Sequence, residues 1–327
     1  MVFDVVTVGS GLIDIFINTG EKLFQKPKKV NDQEVVHVPF GSKIMVEEVR
    51  TFTGGGATNT AISFAKFGLK TGIISLLGSD NKEDKISEEL RRNNVTELIK
   101  KRASRENGFS IILDAKGHDR TVLAFKGPAD DLNYDELPKD ISTKWFYFAS
   151  MMGKSFMMQQ KLADYAVKNK IKIMFNPSSY VVKKGKKFVS PLMKKSEIVV
   201  LNKEESGYIT QGSIEDRLKQ LVRMGPKIAI ITDGKNGAWL LKDKFIYRAI
   251  PHKVNVVEST GAGDAFASAF LASFIKTNGI KKSLHIALAN SQSVLSHYGA
   301  KNKLLTWDEA NNKIKNNPTK VIITKIK

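Results

Sequence analysis

The 327 residues allow one large α/β domain or two modest ones, and at 42% hydrophobic and 26% charged the composition is that of an ordinary globular chain. The absence of cysteine excludes disulfides, thiolate catalysis and Cys-ligated zinc, and suits a cytoplasmic, reducing setting. A net charge of +19 attracts polyanions, but the lysines are scattered outside small clusters at Lys26–Lys29, Lys183–Lys187 and the C-terminal tail, and no basic stripe or nucleic-acid-binding motif accompanies them. A nucleic-acid partner is therefore not expected.

Val5–Gly9 is an apolar run ending in glycine, which predicts a buried strand and not the basic, then apolar, start of a signal peptide. Gly9 and Gly11 imitate a dinucleotide fingerprint, but Asp14 stands where its third glycine belongs and no helical pattern follows. Asp14, just past a strand end, suits the hydroxyls of a polar ligand; an Asx-turn is the plainer alternative. Ile15–Asn18, Val35–Val38 and Ile44–Phe52 are expected short strands. Phe109–Leu113 and Arg120–Phe125, around Lys116–Asp119, are an expected hairpin. These strands interrupt the βα alternation. They predict a small β lid, from about 15–53 and 108–126, on a single domain spanning 1–327, hinged near Asp14, Thr53, Asn107 and Lys126.

Between the lid segments, Gly54–Gly55–Gly56–Ala57–Thr58–Asn59 opens a helix that ends at Gly68. A glycine run there permits close backbone approach, and Asn59 offers a donor and an acceptor from the first turn. No GK[ST] follows, so this is not a P-loop. Further on, strands are predicted at Lys70–Leu77, Trp145–Ala149, Ile171–Phe175, Ile198–Leu201 and Ile228–Thr232. They alternate with helices at Lys82–Asn93, Phe156–Asn169, Ile214–Met224, Ala265–Ile275 and Ser283–His297. The alternation implies a mostly parallel central sheet flanked by helices, with ligands at the C-terminal strand edge. Asn176–Pro177, Asn202-x-x-Glu205 and Thr232–Asp233–Gly234 fall at those edges. Asn202 and Glu205 share one face of a helix start, suited to phosphate and hydrated Mg²⁺, or simply to capping the helix.

The stretch with the densest chemistry is Val256–Ile275, VVESTGAGDAFASAFLASFI. It predicts a strand end, a glycine turn at Gly261–Ala262–Gly263 and the first turn of a buried helix. Free N–H groups and the positive helix end favour a transferring phosphoryl group. Asp264 in that turn is expected to ionise readily and to take a proton from an attacking hydroxyl; helix capping is its plainer role. The apolar run from Ala265 to Ile275 is far short of the roughly 20 residues that cross a membrane.

With GGATNTA at Gly55–Ala61, glycines at Gly68 and Gly78, Asn202-x-x-Glu205, and STGAGDAFASAF at Ser259–Phe270, the chain resembles the ribokinase-like (phosphofructokinase-B type) carbohydrate kinases over nearly its whole length. The resemblance implies a ribokinase-like fold with a β lid that pairs between the subunits of a homodimer. It also implies transfer of the ATP γ-phosphate to a hydroxymethyl group of a sugar or nucleoside. On that resemblance Asp264 is the general base and Gly261, Ala262 and Gly263 form the anion hole. Asp14, Gly54, Gly55 and Asn59 hold substrate hydroxyls. Asn202 and Glu205 organise phosphate and Mg²⁺, Glu205 through water; Thr232 and Gly234 border ATP, and Asn290 faces the adenine. In relatives the residue opening the second signature is usually Asp and helps bind K⁺. Here it is Glu258, followed by Ser259 for the common Thr, which leaves a K⁺ site open. Gly56 stands where ribokinases proper tend to carry lysine, so a sugar such as ribose is favoured only narrowly over nucleosides and phosphosugars.

Overall fold

Consecutive apolar residues, many β-branched or aromatic, make strands that are covered on both faces. The computed structural model describes residues 2–18, 28–30, 33–35, 40–80, 82–99, 103–113 and 121–326. Ten strands form the large sheet. In spatial order they are Lys320–Lys325, Phe245–Ile250, Ala238–Lys242, Ile228–Thr232, Ile198–Asn202, Lys172–Phe175, Thr143–Phe148, Phe3–Val8, Thr71–Ile74 and Thr96–Glu97. The seven from Ile228–Thr232 to Thr96–Glu97 pair in parallel, and the other three add on antiparallel.

Alternate side chains of these strands fill two cores. Val6, Val8, Phe146 and Phe148 face one layer, with Leu162 and Ala166 of helix Gly153–Lys168 and Leu218 and Leu221 of helix Ile214–Arg223. Val5, Trp145 and Tyr147 face the other, with helices Ala262–Thr277 and Ile280–Leu295. Helix Ala262–Thr277 is buried at every position from Ala265 to Phe274. A helix apolar all round belongs inside, and its alanines and serines let neighbouring helices come close.

Strand Phe3–Val8 lies between Thr71–Ile74 and Thr143–Phe148, so the chain builds one side of the sheet first and then returns to build the other. The C-terminal ends Val8 and Phe148 flank this reversal, where an open α/β sheet leaves a crevice. Above it stands a separate four-stranded sheet in the order Glu48–Gly54, Leu12–Asn18, Phe109–Leu113, Thr121–Phe125. Its three pairings are antiparallel, parallel and antiparallel.

Several elements differ from expectation. The strand foreseen at Ile44–Phe52 begins only at Glu48. Val36–Val38 and Lys116–Asp119 lie outside the described residues, and Val35 ends a short strand at Gln33–Val35. Val254–Val257 is not the strand end expected before the glycine turn: Pro251 closes the preceding strand, and Val254, Val256 and Val257 are exposed. Three antiparallel strands and helices Lys186–Lys195 and Trp307–Asn316 went unforeseen.

Candidate active site

Two glycines in the left-handed φ range start the two helices that meet over the crevice. Gly55 has φ +96°, and a Cβ there would fall 2.3 Å from the Ser10 carbonyl oxygen. Only glycine lets helix Gly56–Lys66 start against that strand end. Asn59 lies in its first turn, its N–H donating to the Gly55 carbonyl at 2.9 Å. Gly261 has φ +81°, and a Cβ there would fall 2.4 Å from Ala300 Cβ. It starts helix Ala262–Thr277, with Asp264 in the first turn. The two helices touch through Ser63 and Ser268, whose hydroxyl oxygens are 2.7 Å apart.

Asn59 Nδ2 donates to Asp264 Oδ2 at 2.9 Å, so the two glycine motifs converge on one hydrogen bond. Asp264 and Gly263 line a cavity of about 260 Å³ with Ser10, Lys126, Asn202, Glu205 and Thr232. Asp14, on strand Leu12–Asn18 of the small sheet, is buried beside Gly54 and takes a hydrogen bond from Ser110. Asn202 and Glu205 cap each other's backbone at the start of helix Lys203–Gly207: Glu205 N–H donates to Asn202 Oδ1 at 2.7 Å and Asn202 N–H to Glu205 Oε2 at 2.9 Å.

Not every expected residue reaches the cavity. Gly234 opens a short 3₁₀ turn, Gly234–Asn236, just beyond Thr232 and outside the lining. Ala262 donates its N–H to the Ser259 carbonyl at 3.3 Å, and its carbonyl accepts from Ser291 Oγ at 3.0 Å. Glu258 is 4% exposed, and its Oε1 accepts from both the N–H and the hydroxyl of Thr260 at 2.7 Å. Asn290, expected beside adenine, is fully buried instead. Its amide donates to the Ala265 carbonyl at 2.9 Å and accepts from the Leu305 N–H at 2.8 Å. These bonds place the side chain in the core between the last helices.

The electrostatics also depart from expectation at Asp264. Burial holds its carboxyl above the ordinary value, against the lowering effects of the Asn59 bond, Lys126 and Lys301. Burial likewise pushes Asp14 up to about 6 and Glu205 to about 7. The two cations of the site are pushed down by burial: Lys126, at the end of the small sheet, and Lys301, in the loop after Gly299–Ala300. Sequence reasoning named Lys126 only as a hinge and missed Lys301. Lysines so common along the chain carry no local pattern that marks these two.

Residues 6–307 match the pfkB family carbohydrate kinase profile. The chain belongs to that family. The ATP-dependent 6-phosphofructokinase of Thermoanaerobacterium thermosaccharolyticum is 26% identical over 310 residues, covering 91% of this chain and 89% of that protein. Adenosine kinase from Sinorhizobium meliloti superimposes with a TM-score of 0.81 at 18% identity, over 96% of this chain and 99% of that one. An Escherichia coli protein described as ribokinase II, in complex with ATP and Mg²⁺, gives 0.79 at 16% identity, over 97% and 100%. The fold is ribokinase-like, and the protein is an ATP-dependent kinase of the sugar and nucleoside kinase group. Among the described residues no helix is long and apolar enough to cross a membrane.

Proposed function

We propose that this kinase phosphorylates the hydroxymethyl group of a sugar, with Asp264 as general base. The carrying observation is the Asn59–Asp264 hydrogen bond, which fixes a carboxylate at the start of helix Ala262–Thr277, facing the cavity. The acceptor hydroxyl gives its proton to Asp264 as its oxygen attacks the γ-phosphorus, and ADP leaves. The backbone of the Gly261–Gly263 turn, where Gly263 lines the cavity, receives the developing charge, and the Lys126 ammonium, lining the same cavity, adds to it. Asp14 and Asn59 bind the sugar's remaining hydroxyls, with the backbone of Gly54 and Gly55 close beside them. Asn202, Glu205 and Thr232 line the ATP side, with Gly234 just beyond.

Mg²⁺ fits this donor set. Glu205 and Asn202 offer oxygens at the cavity, and among the described residues no cluster of three or more His, Cys, Asp or Glu exists to cage a metal. A Mg²⁺ ion carried on ATP and reached by Glu205 through water needs no cage and neutralises phosphate charge. K⁺ fits less well, because Glu258 turns Oε1 onto Thr260.

A sugar is favoured over a nucleoside because the phenylalanines of the small sheet pack on other rings. Phe16 meets Phe52 and Tyr298 edge-on, at 5.7 and 6.4 Å between centroids, and Phe109 lies against Phe125 at 5.4 Å. The small sheet acts as the lid over the acceptor. Its edge strands Glu48–Gly54 and Thr121–Phe125 expose Val49, Val122, Leu123 and Phe125, a surface suited to a second copy in a homodimer. An ADP-release screen across sugars, phosphosugars and nucleosides tests the reading. Turnover with a free sugar supports it; turnover confined to nucleosides overturns the choice of acceptor.

A further inference from the structure

Lys301 is 7% exposed and is the one lysine in the buried set among the described residues. Removing an ammonium from water is expensive unless it is well paired. Here it donates to the carbonyl of Thr53, its Oγ1 at 2.8 Å and Asn59 Oδ1 at 3.4 Å, and the carboxylates Glu89, Asp14 and Asp264 supply the opposing charge. The carboxylate Glu89 Oε2 stands 3.4 Å away. Such a group is retained against its desolvation, and its place explains why. An ammonium only donates, so the end of the Asn59 amide that faces it must be the oxygen. The other end, Nδ2, is then left for Asp264 Oδ2. With the amide turned over, two oxygens would face each other and Asp264 would lose its bond.

We propose that Lys301 is a positioning residue for phosphoryl transfer: its ammonium fixes the Asn59 amide so that Nδ2 holds Asp264, leaving the other carboxylate oxygen to the acceptor hydroxyl. This inference rests on Asp264 being the base. The bonds form a line from Thr53 through Lys301 and Asn59 to Asp264, in which each polarises the next. Ala300, next to Lys301, abuts the Gly261 turn, so the same loop supports both the base and the anion-binding start of the helix.

The charges around Asp264 allow a direct readout. Lys126 from the end of the small sheet and Lys301 favour its ionised form; Asp14, Glu205 and the buried Tyr147 also face it. Lys301 in turn is flanked by Glu89 and Asp14. Replacing it with a neutral side chain of similar length removes a nearby charge and frees the Asn59 amide to turn. Both effects move the Asp264 titration to higher pH.

The test follows the Asp264 carboxyl carbon by ¹³C NMR across pH, without nucleotide, in wild type and Lys301→Met. The titration should move up by about one unit in the variant. With the acceptor found by screening, kcat should fall about tenfold or more, the acid limb of kcat should shift the same way, and the KM for ATP should hold within about twofold. Thr53→Val removes one anchor without removing charge and should give a smaller loss in the same direction; it carries the test if Lys301→Met does not fold. An Asp264 titration and a kcat unchanged in the folded variants overturn the proposal. If Asp264→Asn is inactive while Lys301→Met is normal, only the positioning role fails. If Asp264→Asn keeps full turnover, the base assignment itself fails.

Discussion

Asn59 and Asp264 are 205 positions apart in the chain and 2.9 Å apart in space. Each sits in the first turn of a helix that only a left-handed glycine can start where it does. The bond brings an amide and a carboxylate to the same small volume at the sheet's reversal point, where the proposed mechanism uses them to bind a hydroxyl and to accept its proton. Phosphoryl transfer needs little else from the protein than such placement and charge.

Asp14 is proposed to bind the acceptor and not ATP. Asp14→Ala should raise the KM of the acceptor far more than that of ATP, and in the variant deoxy analogues should lose their disadvantage. Equal changes in both KM values would assign Asp14 to holding the small sheet in place.

On the role proposed for Glu205, ATP binding and stability should respond to pH in opposite senses. Its folded-state value of about 7 lies above the ordinary carboxylate value of 4.5. Stability from this group is therefore complete below 4.5 and is lost as pH rises through about 7. Glu205→Gln should melt higher than wild type at pH 8 and show no such gain at pH 4. The affinity of wild type for MgATP should fall on going from pH 8 to pH 6, as the carboxylate that reaches the ion takes up a proton. A pH-independent affinity would remove Glu205 from the metal's surroundings.

Gly261 fixes the entry to the second helix. Gly261→Ala places a methyl against Ala300 and strains φ, together costing about 2 kcal/mol or more. Thermal unfolding should show the loss, and kcat should fall with the distorted N–H groups. A variant with wild-type melting and turnover would mean the turn is not held as described.

Glu258 bears on K⁺. Its carboxylate is longer by one methylene than the aspartate usual in relatives, and its Oε1 is occupied by Thr260. Activation by K⁺ should be weak at constant ionic strength, with a large organic cation as the control, and Glu258→Asp should strengthen it. Strong, saturable activation of wild type that Glu258→Asp leaves unchanged would refute this.

The glycine turns, the strand-end polar groups and the parallel core were legible because each is a local pattern with one physical use. Gly55 and Gly261 need φ above zero, and Val5–Val8 or Ile228–Ile231 can only be buried strands. The hairpin Ala238–Lys242 and Phe245–Ile250 also left a trace: two apolar runs broken around Asp243, which turns with φ +54°. Lys301 left none, because its role is set by Thr53, Asn59 and Glu89, all distant in sequence. The burial of Asn290 was not legible for a related reason: its bonds to the Ala265 carbonyl and the Leu305 N–H join residues whose proximity only the fold shows.

The central claim is that Asp264 takes the acceptor's proton. Its most direct test is the turnover of Asp264→Asn at saturating ATP and acceptor, with ATP affinity measured calorimetrically on the same folded protein. The amide keeps the shape of the side chain and removes the base. Affinity for ATP should therefore be nearly unchanged, while kcat falls by roughly 10²–10⁴-fold. Near-wild-type turnover by the folded variant would contradict the account.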